Sequence, residues 1–171
     1  VNFDQAFDRL IGHEAGLSLD PKDPGNWTSG RPGVGELKGT KFGIAANTYP
    51  DLDIKNLTLD QAKAIYLRDW WIKIGADQYA GAIAFQLWDF AVNAGMETAK
   101  RALQRAVRVA DDGQIGPKTV LAIKSMTVTD VLARFNAQRL RHYTSLSTWS
   151  TYGKGWTNRV AANLDYAAED A

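Results

Sequence analysis

Helical stripes of apolar residues run through most of this chain and lapse once, between residues 17 and 56. Phe3, Phe7, Leu10 and Ile11 share one face at a 3.6-residue period, which predicts a helix over 2–15. Asn2 can cap it, Gln5 stands three positions later, and Gly16 is the expected stop. Over 17–56 Gly, Pro, Asp, Asn and Thr dominate. That is long for a plain loop, so a small sheet is expected around 17–19 and at KFGIAA, 41–46. A helix over 58–74 opens with a Thr58/Gln61 capping box and places Leu59, Ala62, Ile65, Tyr66, Asp69 and Trp70 on one stripe. Residues 79–95 are apolar nearly all round, the pattern of a buried central helix, and Gly95 ends it.

An amphipathic helix over 96–109 follows and stops at DDGQIGPKT. Gly113 and Gly116 mark turns there, and Pro117 suits the first position of the next helix. Helices are expected over 117–125 and 128–144, a turn at STYGKGW (150–156), and a last helix over 156–168. No linker, internal repeat or low-complexity tract interrupts the order. The predicted fold is mainly α: one domain over 1–171, with a small irregular or β lobe at 17–56 and a C-terminal helical part at 97–171.

Composition narrows the chemistry. A chain of 171 residues that is 45% hydrophobic can build a substantial core. There is no cysteine, so disulfides and thiolate metal sites are excluded. His13 and His142 are the only histidines, and no carboxylate stands near them at ligand spacing; neither metal nor cofactor is expected. No apolar run reaches membrane-spanning length, and the N-terminus lacks a basic-then-apolar signal pattern. Net charge is +1 but uneven: residues 97–171 carry 11 basic and 7 acidic side chains. That suits an anionic partner such as a cell wall, or is an ordinary solvated face.

Glu14 falls where the first apolar stripe should continue, at the edge of a core. Desolvation there raises a carboxyl pKa, and an acid still protonated near neutral pH can donate a proton. Asp23 follows nine positions later in a wetter Pro/Gly stretch, and Thr28 five beyond that. Two carboxyls in unlike environments, with a hydroxyl able to hold water, is the equipment of glycosidic-bond hydrolysis. Read from residues alone, a structural Glu14 and a turn-forming Asp23 remain open.

HEAGLSLDPKDPGNWT (13–28) resembles the opening signature of glycoside hydrolase family 108, muramidases of phage endolysins and secretion systems. His13, Glu14, Gly16, Asp20, Pro21, Asp23, Pro24, Gly25, Thr28, Gly43 and Ile44 hold matching places. WDFAVNAG (88–95), DGQIGPKT (112–119) and GWTNR (155–159) are similar to three later motifs, in the right order. The chain departs from the pattern at Leu17, where an aromatic hydroxyl is usual, and at Asn26, where a second glycine is usual. SGRPGVGELKGTK (29–41) looks inserted and brings Glu36, a rival second carboxylate.

The resemblance implies a lysozyme-like fold and cleavage of the β-1,4 bond between N-acetylmuramic acid and N-acetylglucosamine. Glu14 would be the general acid, and Asp23 with Thr28 would support the water or the developing charge. Gly43, Ile44, Asn93 and Trp27 are the expected substrate contacts. The remaining tryptophans, Trp70 and Trp88 among them, read as packing. Arg134, Arg139, Arg141 and His142 read as a solvated basic face. The expected partner is bacterial peptidoglycan, met by a monomer, with no nucleic acid and no stable membrane insertion. Synthesis is expected in a bacterial cytoplasm, as in a phage-infected host, and action on the wall in the periplasm. A lytic transglycosylase leaving 1,6-anhydro ends and a non-catalytic wall-binding module are the rival readings.

Overall fold

The computed structural model describes residues 1–12 and 16–171. Among them the chain is mainly helical, with one three-stranded antiparallel sheet. It divides into two compact units, Asp4–Arg68 and Val1–Phe3 with Asp69–Ala171.

The smaller unit contains most of α1 (Phe3–Ile11), the strands β1 (Leu17–Ser18), β2 (Thr40–Lys41) and β3 (Ile44–Ala45), and α2 (Leu59–Tyr66). Of the helix expected over 2–15, α1 covers Phe3–Ile11 and Gly12 takes φ +50°, a helix-stop conformation; positions 13–15 lie outside the described residues. The strands pair in the order β1-β2-β3, Leu17 opposite Lys41 and Lys41 opposite Ile44. Phe7 of α1 meets the Tyr66 ring of α2 edge-on at 5.9 Å. The Tyr66 hydroxyl donates to the Phe42 carbonyl at 3.1 Å. Ile44, Ile54, Leu57 and Ile65 are buried as well. The Thr58/Gln61 capping box forms in full.

Beyond Tyr66 the helix widens into a π turn, Leu67–Trp71. An i→i+5 turn takes one extra residue, so the apolar phase slips by one position. That slip explains a departure from the expected stripe: Trp71 is buried and Trp70 only half-buried.

In the larger unit α3 (Gly81–Ala94) is buried continuously from Ala82 to Ala91 and packs against α4 (Met96–Ala106), α6 (Val128–Ser145) and α7 (Trp149–Asp170). Burial of side chains such as Phe85, Leu87, Trp88 and Phe90 contributes about 1.5–3 kcal/mol each. Phe3 and Trp71 both meet Trp88 edge-on, at 5.9 and 5.6 Å. Pro117 opens α5 (Pro117–Lys124) as expected. The turn expected at 150–156 does not exist; α7 runs unbroken through it. Its glycines have a different use, since a Cβ on Gly153 would lie 2.7 Å from the Trp149 indole, which packs directly on the helix backbone. No described helix is long and apolar enough to cross a membrane.

Candidate functional site

Glu14 and its neighbour His13 lie outside the described residues. The loop that follows them is organised around Asn26, fully buried in the smaller unit. Its side-chain amide donates to the Asp20 carbonyl at 3.0 Å, and its Oδ1 accepts from the Thr40 hydroxyl at 2.7 Å. Its own carbonyl takes the backbone N–H groups of Lys38 and Gly39, both at 3.0 Å. One amide therefore ties the Asp-Pro segment to β2. A glycine here would keep the backbone carbonyl but leave the Asp20 carbonyl and the Thr40 hydroxyl without the side-chain amide, which gives the departure at Asn26 a structural reason.

Asp23 is exposed and caps the 3-10 turn Pro24–Asn26, accepting from the Gly25 N–H at 2.8 Å. Trp27 is half-buried, its indole N–H donating to the Pro21 carbonyl at 2.9 Å, which leaves a partly open ring held by its edge. Thr28 accepts from the Glu36 N–H through its hydroxyl at 2.9 Å, while its N–H donates to the Glu36 carbonyl, also at 2.9 Å. The inserted segment is thus a closed loop with Thr28 and Glu36 at its neck. The Thr28 hydroxyl proton remains available to a water or a sugar. The Glu36 carboxylate is exposed and lies 3.6 Å from Lys38 Nζ.

Gly43 adopts φ +74°, and a Cβ there would sit 2.4 Å from the Tyr66 hydroxyl oxygen, so both conformation and space require glycine. Ile44 is 1% exposed as a whole residue, so of the expected Gly43–Ile44 pair only Gly43, which is exposed, is open to a ligand.

Asn93 is exposed near the end of α3 in the larger unit, and its Oδ1 accepts from the Tyr143 hydroxyl at 2.6 Å. That bond fixes the amide and leaves its NH2 as a donor, the polarity an acetamido carbonyl requires. Tyr143 is itself stacked on Trp156, ring centroids 5.0 Å apart.

One turn earlier lies a cluster the sequence did not disclose. Asp89 is 3% exposed. Its carboxylate binds Arg139 at 2.7 Å, Arg159 at 2.6 Å and the Asn163 amide at 3.1 Å. Burial alone would push this carboxyl up; the two guanidiniums overcome it and hold Asp89 below the ordinary value of 3.8. The expected solvated basic face is corrected here: Arg139 is fully buried, over the Phe90 ring at 5.0 Å. The cluster joins α3, α6 and α7 directly beneath the helix end that carries Asn93. A signal was present, since Asp89 and Arg159 both lie inside matched motifs, but neither motif names its partner.

The DGQIGPKT loop is pinned by Gln104 of α4, which donates to Asp112 at 2.8 Å and accepts from the Gly113 N–H at 2.8 Å. Arg105 holds Asp111 at 2.5 Å, and both aspartates are kept below their ordinary range by these bonds. Among the described residues no group of three or more His, Asp or Glu could hold a metal ion.

The family model described as glycosyl hydrolase 108 matches residues 7–95, and one described as a predicted peptidoglycan domain matches residues 98–161. The solved structure of SagA from Brucella abortus is similar to this chain at 31% identity and a TM-score of 0.83, covering 98% of this chain and 94% of that one. No curated protein matches.

Proposed function

The chain belongs to the glycosyl hydrolase 108 family, and on that premise we propose that it is a peptidoglycan hydrolase that cuts the β-1,4 bond between N-acetylmuramic acid and N-acetylglucosamine. The observation that carries the reading is the pairing of a glycosyl hydrolase region at 7–95 with a peptidoglycan domain at 98–161 in one chain. Glu14, inside the first match, is the proton donor to the bridging oxygen; a positioned general acid of this kind contributes about 10²- to 10⁴-fold in rate.

The bonds of Asp23 and Thr28 support auxiliary roles. Asp23 spends one oxygen on its cap and keeps the other for charge stabilisation or water. Thr28 accepts one bond and has its proton to give. Asn93, with its amide oxygen committed to Tyr143, supplies a donor for the acetamido group. Within the smaller unit, the exposed Gly43 backbone and the half-open Trp27 ring are the contacts offered to a sugar. The rival second carboxylate, Glu36, is engaged with Lys38 and is given no catalytic role.

The biological setting proposed is opening of a bacterial wall from the periplasmic side, in phage-driven lysis or a comparable process. The test is Glu14→Gln assayed by release of soluble fragments from purified peptidoglycan. The variant should lose about 10²-fold or more of the rate while its thermal melt stays in place. Release at the wild-type rate would remove Glu14 from the mechanism.

A further inference from the structure

The inserted loop helps to line a cavity to which the proposed glycan chemistry assigns no residue. In the smaller unit, a cavity of about 390 Å³ opens between the β1 end, residues 36–38 and the turn 51–55. Its apolar lining includes Leu19, Leu37 and Ile54, with Leu19 48% exposed. Its charges are of both signs: Glu36, Asp51 and Asp53 beside Lys38 and Lys55.

Several of these charges are already engaged. Lys38 donates to the Pro50 carbonyl at 2.7 Å and pairs with Glu36. Asp53 accepts from the Asn56 side chain at 2.8 Å. The Asp51 carboxylate and the Lys55 ammonium have no hydrogen bond or ion pair among the described residues, and both are exposed.

A neutral sugar strand gains little from such a lining, since hydroxyls and acetamides do not need paired charges of opposite sign. A polyanion would be repelled by three carboxylates. The lining complements a short peptide with methyl side chains, free carboxylates and an ammonium. Peptidoglycan carries such a peptide, branching from the lactyl group of muramic acid. We propose that this cavity is a subsite for the peptide stem of peptidoglycan, with Lys55 receiving a stem carboxylate, Asp51 the amino group of the diamino acid, and Leu19 and Leu37, over the buried Ile54, the alanine methyls. The inference rests on peptidoglycan being the substrate. It also gives the inserted segment, Glu36 included, a recognition role in place of a catalytic one.

Two measurements test it. In the first, the free tripeptide L-alanyl-γ-D-glutamyl-meso-diaminopimelate is titrated into the isotope-labelled full chain, with chitotetraose as the comparison. The amides of Leu37, Lys38, Ile54 and Lys55 should shift with the tripeptide and stay in place with chitotetraose. In the second, kcat/KM is measured on intact peptidoglycan and on glycan strands stripped of peptide by an amidase. The ratio of the two should fall about threefold to fivefold in Lys55→Glu and in Asp51→Lys, the size expected for one exposed ion pair. Unmoved amides, or ratios equal to wild type, would overturn the proposal. If the wild-type protein cleaves neither substrate, the hydrolase reading fails by itself, and the titration still decides whether the cavity binds the peptide.

Discussion

Replacing Asp89 by asparagine should be among the most destabilising single changes of one atom in this protein. The carboxylate is 3% exposed and is the only anion bonded to the fully buried Arg139 among the described residues. Arg139 Nε and Nη1 have no hydrogen-bond partner among those residues, so Asp89 supplies the sole polar contact recorded for that guanidinium. Aspartate to asparagine keeps the shape and removes the charge, which leaves a buried cation uncompensated. Breaking a buried pair from one side costs about 3–5 kcal/mol. At about 2–4 °C per kcal/mol for a chain of this size, the melting temperature should fall by roughly 6–20 °C.

Arg159, one-third exposed at its side chain, should matter less: Arg159→Gln loses charge-assisted bonds of about 1.5–3 kcal/mol and leaves Asp89 still paired with Arg139. Removing both buried charges in Asp89→Asn/Arg139→Met lets the methionine pack on Phe90, and the double variant should be milder than the sum of the singles by about 0.5–3 kcal/mol. The assay is urea unfolding at neutral pH of wild type, Asp89→Asn, Arg139→Met, their double variant and Arg159→Gln. Asp89→Asn within about 0.5 kcal/mol of wild type, a difference typical of surface substitutions, would refute the reasoning. So would strict additivity of the cycle.

The remaining predictions are briefer. Gly155→Ala should stabilise α7 by about 0.5–1 kcal/mol, because nothing lies within 4 Å of the new methyl, whereas Gly153→Ala should destabilise it by driving that methyl into the Trp149 indole; thermal melts that rank the two the other way would contradict the packing. The folded pKa of Asp89 lies below its unfolded value, so its stabilisation is complete above the ordinary carboxylate value of 3.8 and is lost as pH falls through the folded pKa. Urea midpoints should therefore drop in acid below that value, and Asp89→Asn should flatten that part of the profile; an unchanged acid limb in the variant would argue against the assignment.

What was legible in the sequence was local. The all-round apolar run of α3, the Thr58/Gln61 box of α2 and the Pro117 start of α5 depend on neighbours a few residues away, and each appears where expected. The departures have equally local causes: Gly12 takes a left-handed conformation at the end of α1, the π turn moves the stripe from Trp70 to Trp71, and two glycines that resemble a turn lie inside α7. The Asp89 cluster was illegible for a different reason: its arginines stand 50 and 70 residues away, and Arg139 looks like any surface base in a basic stretch. In the loop, the turn-forming side of Asp23 was legible from its Pro and Gly neighbours, and it caps Pro24–Asn26; the neck that Thr28 forms with Glu36 depends on how the insertion closes.

If Glu14 drives hydrolysis at the muramic acid side of the glycan bond, mass spectrometry of fragments released from purified peptidoglycan will show it when wild type and Glu14→Gln are digested side by side. Saccharides ending in reducing N-acetylmuramic acid should come from the wild type and almost none from the variant. Reducing N-acetylglucosamine ends, 1,6-anhydro ends, or the same fragments at the same rate from Glu14→Gln would contradict it.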